Sequence, residues 1–178
     1  EAGVEVTGFN PVHLGMVLRK MEQMGIGTER VDGGLRVFRA ERIEPVDIQT
    51  LPFPGFPTDM QAQVMVLSAL ADGGSIITEN IFENRFMFAS ELSRMGANIR
   101  IEDHHAIIRG VEGFSGAQVV SPDLRGGAAL VLAGLIAEGV TEVSAIHHIN
   151  RGYERFVEKL TALGAVVGCA SIPDPTDD

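Results

Sequence analysis

The feature that most constrains this chain is that it repeats itself, with a period near 66 residues. Three segments read as helix ends: Leu18-x-x-Met21-x-x-Met24-Gly25, Leu92-x-x-Met95-Gly96-Ala97 and Leu160-x-x-Leu163-Gly164-Ala165. Their glycines fall 71 and 68 positions apart. Asp59 recurs as Asp123, 64 positions on, and Asn84-Arg85 recurs as Asn150-Arg151, 66 positions on. Units of this length bury their faces against one another, so the chain reads as one large domain of like parts. With 178 residues and 45% hydrophobic content it can bury a substantial core.

Each unit follows a β-α-β-α-β-β pattern, which places the chain in the α/β class. In the first copy a strand at 3–7 precedes a helix opened by Asn10 and Pro11 and stopped by Gly25. A hairpin at 27–31 and 35–39 follows, turned by Asp32-Gly33-Gly34. The connector 40–54, rich in prolines and charges, is the expected internal boundary. The second copy reads as a helix over 59–71, a strand at 75–78, a polar patch at 79–85, a helix over 86–95 and a hairpin at 98–102 and 106–109. In the third, strands at 116–120, 140–144 and 166–170 alternate with helices over 123–137 and 153–163. Tyr153, Phe156, Val157, Leu160 and Leu163 share one face of the last helix. The units are expected at about 1–53, 54–113 and 114–172 of one domain, followed by an acidic tail, 173–178. Because the first copy lacks its opening strand and helix, two and a half units are present. The expectation is that chain has been lost before Glu1.

Charge and composition narrow the partners. A net charge of −10 with no run of Lys or Arg argues against nucleic acid and anionic membrane surfaces, both of which need a concentrated positive patch. A small anionic ligand remains open, since a few placed arginines suffice. No apolar run reaches the ~20 residues that span a bilayer, so the expected location is the cytoplasm. The one cysteine, Cys169, excludes an internal disulfide framework and reads as a buried, inert thiol in an apolar strand. His104-His105 and His147-His148 do not suggest a metal, because adjacent histidines on a strand face opposite ways and no Cys or carboxylate completes a ligand set. Gly126-Gly127 fit neither a Walker nor a Rossmann spacing and suit close packing or close approach of a ligand.

The chemistry centres on one carboxylate and three arginines. Pro54, Gly55 and Pro57 forbid regular structure up to Thr58, and apolar residues then recur at helical spacing, so Asp59 sits at a helix start. A carboxylate there is held ionised and in a fixed direction, which fits a plain helix cap, the commoner use of Asp at such a position, as well as a catalytic base. Arg85, Arg125 and Arg151 also stand near expected helix starts, where a cation meets the positive end of the dipole. Pairing with Glu83 or Glu154 is one way to offset that. An anion shared by the helix starts and the arginine forks is the other.

Pro54-Gly55-Phe56-Pro57-Thr58-Asp59-Met60-Gln61-Ala62-Gln63, Glu83-Asn84-Arg85-Phe86-Met87, Asp123-Leu124-Arg125 and His148-Ile149-Asn150-Arg151-Gly152-Tyr153-Glu154-Arg155 closely resemble the enolpyruvyl transferase family. Within it, the Thr-Asp-Met-Gln run is similar to the branch acting on UDP-N-acetylglucosamine. The resemblance runs from about Gly3 to Val167. It implies an inside-out, barrel-like α/β domain of three such units, helices inside and sheets outside, which meets a second, N-terminal domain across a substrate cleft. The family's catalytic cysteine lies on a loop of that other domain, and Cys169 does not match it. The chain is thus expected to be the C-terminal portion of such an enzyme, carrying half an active site.

The implied reaction moves enolpyruvyl from phosphoenolpyruvate to the 3-hydroxyl of UDP-N-acetylglucosamine, the first committed step of peptidoglycan synthesis, with neither metal nor organic cofactor. By the same resemblance Asp59 takes the hydroxyl proton, with Thr58 beside it. Ile81, through its backbone, and Phe82 meet the sugar nucleotide. Arg125 and Arg151 line the phosphoenolpyruvate side, and Arg85 orders its loop or contacts ligand. A non-catalytic repeat domain that binds a sugar nucleotide, or packs on a partner, is the competing expectation.

Overall fold

In a computed structural model, residues 3–169 are described, and their strands form three sheets, one for each stretch of the repeat. In the first, β1 (Gly3–Thr7) and β2 (Thr28–Val31) flank β3 (Gly34–Phe38), all antiparallel. Asn10 opens the intervening helix as expected: its Oδ1 accepts the N–H of Val12 at 3.1 Å. A 3-10 turn, Pro11–Leu14, runs into α1 (Gly15–Gln23), and Gly25 ends it at φ +82°.

The second unit is complete. Its order is β4 (Ile48–Gln49), α2 (Gln61–Ser68), β5 (Gly74–Thr78), α3 (Ala89–Arg94), β6 (Asn98–Glu102) and β7 (His105–Arg109). The strands lie side by side as β4-β5-β7-β6, with β4 parallel to β5 and the rest antiparallel. The opening strand therefore comes before residue 54, inside the proline-rich connector. That connector is sewn into the body: the N–H of Glu44 donates to the carbonyl of Met24 (3.1 Å), and the N–H of Ile76 to Asp47 Oδ1 (2.8 Å).

The third unit has β8 (Gln118–Val120) parallel to β9 (Glu142–Ser144), with α4 (Leu124–Ile136) crossing between them. Then come α5 (His147–Asn150) and α6 (Phe156–Ala162). The expected strand at 166–170 is not formed over its described residues 166–169, where Val166 is fully exposed. Cys169, expected in a buried strand, is exposed as well, because no sheet is there to cover it. Residue 170 and the tail 173–178 lie outside the described residues.

Helices α2 and α4 occupy the middle, and the sheets turn one face to them and one outward. In α2, Gln61, Ala62, Val64, Met65, Val66 and Ser68 are buried, and α2 packs along α4, whose Gly126 to Leu130 are buried without interruption. The sheets alternate in burial: Ile77 and Ile108 are wholly inside, whereas Ile76 is 42% exposed. Phe88, Leu92, Met95 and Leu130 complete the core, each contributing about 1.5–3 kcal/mol if reckoned as full burial of an apolar side chain.

A close approach within the core is at α4. A Cβ on Gly127 would stand 2.0 Å from Ser121 Oγ and 2.9 Å from Ile149 Cγ1, so only a glycine permits this contact. Close packing, one of the two uses open to Gly126-Gly127, is the one the structure shows.

Candidate active site at the heads of two central helices

Asp59 and Asp123 occupy matching places in the repeat but act differently. Asp123 is the N-cap of α4: its Oδ1 accepts the N–H groups of Arg125 and Gly126, each at 2.8 Å. Asp59 caps nothing. It lies within a 3-10 turn, Thr58–Met60, whose cap position is Pro57, and its side chain turns outward. There Oδ1 accepts from Arg85 Nη2 at 2.8 Å and Oδ2 from Arg125 Nη2 at 3.1 Å. One carboxylate is thus held between two guanidinium groups, and the cluster keeps a positive surplus.

The environment sets its charge state. Partial burial works to raise the Asp59 pKa, but the hydrogen bonds and charges of Arg85 and Arg125 outweigh it and hold the carboxyl below its ordinary value. For Arg125, burial works downward, while its hydrogen bonds to Tyr153 and Asp59 and their charges prevail and raise its pKa. Arg125 is the second residue of α4, so a cation does stand at that helix start. Its Nη1 donates to the Tyr153 hydroxyl at 3.0 Å, and the same oxygen accepts from Gln63 Nε2 at 3.1 Å. Its guanidinium also stands 5.3 Å from the Tyr153 ring centroid.

The other two arginines are placed differently from expectation. Arg85 comes before α3 in a turn that follows Asn84 at φ +54°, and it pairs with Asp59 rather than Glu83. Its guanidinium lies 4.8 Å from the centroid of the Phe82 ring. Arg151 follows the last residue of α5 instead of opening a helix, an end where a cation is favoured. It is exposed, and its side chain makes no ion pair or hydrogen bond among the described residues. Glu154, its suggested partner, pairs with Lys159. Arg151 still belongs to the neighbourhood, since a Cβ on the adjacent Gly152 would lie 2.7 Å from Leu124 at the head of α4.

Thr58 directly precedes Asp59 in the 3-10 turn. Its hydroxyl donates to Glu79 Oε2 at 2.9 Å. Glu79 Oε1 accepts from the N–H groups of Ile81 (2.9 Å) and Phe82 (3.2 Å) and from Thr50 Oγ1 (2.9 Å). Ile81 and Phe82 are exposed at 37% and 53%, and the Ile81 carbonyl accepts no hydrogen bond among the described residues. That unpaired carbonyl and a half-exposed ring with Arg85 over it are left at this loop.

Glu79, Tyr153 and Gln63 were not foreseen. Glu79 reads as one more polar residue in the patch 79–85, and Tyr153 as an apolar position of a helix that in fact begins at Phe156. The histidine argument also rested on the wrong element. His147 and His148 belong to α5, and His104 lies in the turn before β7, so the rings of each pair lie near each other at a tilt, with centroids 4.1 and 4.0 Å apart. Among the described residues no three His, Cys, Asp or Glu side chains are grouped to hold a metal ion, and no helix is long and apolar enough to cross a membrane.

Known proteins share this arrangement of chain. A UDP-N-acetylglucosamine 1-carboxyvinyltransferase of Caldanaerobacter subterraneus subsp. tengcongensis is 55% identical over 162 residues, covering 91% of this chain and 39% of the relative. One of Nocardia farcinica is 52% identical over 164 residues, covering 92% and 38%. The chain therefore spans about two fifths of the length of the curated relatives it matches. Among solved structures, the enolpyruvyl transferase NikO from Streptomyces tendae superposes with a TM-score of 0.86 at 29% identity, over 93% of this chain and 39% of that one. EPSP synthase from Acinetobacter baumannii, 19% identical over 96% of this chain and 43% of its own, shares the fold at a TM-score of 0.70. The family described as EPSP synthase (3-phosphoshikimate 1-carboxyvinyltransferase) matches residues 1–160, and to that family the chain belongs.

Proposed function

We propose that this chain supplies one wall of a cleft in which enolpyruvyl passes from phosphoenolpyruvate to the 3-hydroxyl of UDP-N-acetylglucosamine, with release of phosphate. The N-terminal domain of the same enzyme supplies the opposite wall. The observation that carries the reading is Asp59 held between Arg85 and Arg125 at the heads of two central helices. A fixed, ionised carboxylate beside surplus positive charge is what the two halves of such a reaction need: a base for the hydroxyl, and cations for the phosphate and carboxylate.

In the addition, the sugar oxygen bonds to C2 of phosphoenolpyruvate and its proton goes to Asp59, while C3 gains a proton to become a methyl group. In the elimination C3 gives up a proton and the bond from C2 to the phosphate oxygen breaks, which restores the C2–C3 double bond and leaves it on the sugar as an enolpyruvyl ether. Arg125 and Arg151 bind the anionic groups of phosphoenolpyruvate. The Ile81 carbonyl, the Phe82 ring and the segment of Thr58 meet the sugar nucleotide, and Arg85 steadies Asp59.

The lowered pKa makes Asp59 a weak base while both arginines hold it. As an incoming phosphate draws Arg125 to itself, the grip on Asp59 loosens and its basicity rises, so the base is strengthened when the second substrate is in place. The step belongs to peptidoglycan synthesis and so to the cytoplasm, and the repeat units, the second opening at β4, form one domain of the enzyme. The test is phosphate release from phosphoenolpyruvate that depends on UDP-N-acetylglucosamine, assayed with these 178 residues and with the longest native polypeptide containing them. Release only by the longer polypeptide is expected. Release by the short chain alone overturns the divided site, and silence from both overturns the reaction.

A further inference from the structure

Glu79 is a buried carboxylate that no step of the proposed reaction uses. It is 3% exposed and forms no ion pair among the described residues. Four donors converge on it instead: Thr50 Oγ1, the Ile81 N–H and the Phe82 N–H on Oε1, and Thr58 Oγ1 on Oε2. These come from three separate stretches of chain, namely the end of β4, the turn that carries Asp59, and the loop that leads to Arg85. Thr50 is wholly buried, and its hydroxyl oxygen also accepts the N–H of Asn80 at 2.9 Å.

We infer that Glu79 is a positioning residue that sets the sugar-nucleotide side of the site. The inference rests on the reaction proposed above. A carboxylate suits the task because both of its oxygens accept and neither donates, so it can satisfy hydroxyls and backbone N–H groups together. With their N–H groups turned inward to Glu79, Ile81 and Phe82 present carbonyl and ring outward. With its hydroxyl turned to the same carboxylate, Thr58 sets the backbone from which Asp59 projects. A plain cap or buried strut would leave substrate affinity alone, whereas this carboxylate shapes one substrate's surface and not the other's, because Arg125 and Arg151 lie on different elements.

The test uses the longest native polypeptide containing the chain, with Glu79→Ala and the near-isosteric Glu79→Gln. The Ala variant is expected to raise KM for UDP-N-acetylglucosamine by about tenfold or more, the size of losing one to two hydrogen bonds to a charged group. KM for phosphoenolpyruvate should stay within about twofold, and Gln should recover most of the loss because its carbonyl still accepts from the loop. Equal rises in both KM values, or neither, overturn the inference. If Ala does not fold, Gln decides by the same split, with a rise of about threefold for the sugar nucleotide alone. Hydrogen exchange at the Ile81 and Phe82 amides gives a second readout, independent of turnover. Faster exchange than in the unsubstituted protein, with core amides unchanged, supports the anchoring, and unchanged exchange overturns it. An unsubstituted enzyme without turnover sinks the reaction and with it the assigned role, while exchange still reports on the anchor.

Discussion

Arg125 reaches back across 66 positions of sequence to place Nη2 3.1 Å from Oδ2 of Asp59, joining the second repeat unit to the third at their helix heads. In the complete enzyme, Asp59→Asn keeps the shape and removes the charge and the basicity. Turnover should fall by about 10²-fold or more, the usual worth of a positioned base, with binding of UDP-N-acetylglucosamine retained. Steady-state rates beside a direct binding titration check this, and near-normal turnover would remove Asp59 from the base role.

The same pair makes acid stability depend on Asp59. Its pKa is lower in the folded chain than its ordinary value of 3.8, so the folded state favours the ionised form. The stabilisation is fully present above about pH 4 and disappears as pH falls through the folded pKa. Urea midpoints of the wild type and Asp59→Asn should therefore differ at neutral pH and converge in acid. The difference should be small, since the carboxylate side chain is 55% exposed. A gap that persists undiminished in acid would show that something other than this charge is responsible.

Tyr153→Phe removes one hydroxyl and leaves the ring on Phe156, at 5.1 Å between centroids, and under Arg125. Two hydrogen bonds go, from Arg125 and from Gln63. We expect a loss of about 1–2 kcal/mol in unfolding free energy and a rise of a few fold in KM for phosphoenolpyruvate, because Arg125 loses its rest. Chemical denaturation and substrate titration measure the two effects separately.

How far could this have been read from the chain alone? The repeat located the hairpins, the glycine stops and the cap at Asp123, because each depends on local spacing. Equating Asp59 with Asp123 then misled. Pro57 takes the cap position before Asp59, and the carboxylate is free to meet arginines that no local pattern links to it. Strand β4 was hidden because two residues between prolines carry no periodicity, although Ile48 is only 2% exposed. Glu79 and Tyr153 were misread for a common reason. The two hydroxyls that bind Glu79 lie 29 and 21 positions away and the two donors to the Tyr153 hydroxyl 28 and 90, beyond the reach of any periodic signal.

Asp123 offers a contrast within the same fold. Asp123→Ala should cost about 0.5–2 kcal/mol of stability through loss of the cap, and Asp123→Ser should restore most of it, as measured by thermal unfolding. No recovery with Ser would mean that the carboxylate's charge, not its capping oxygen, is what the protein needs there.

Gly127→Ala should be among the harshest single changes, by about 2 kcal/mol or more, since the new methyl group meets Ser121 and Ile149 in a filled interior. A melting temperature unchanged by the substitution would show that the contact can relax.

That contact has a mechanical consequence. With Ser121 and Ile149 pressed on Gly127 and no slack between them, α5 can neither slide nor pivot by small steps against the head of α4. Whatever swings when the enzyme engages its substrates, the backbones that carry Arg125 and Arg151 travel as one piece, and adjustment falls to the side chains and to the loop around Phe82.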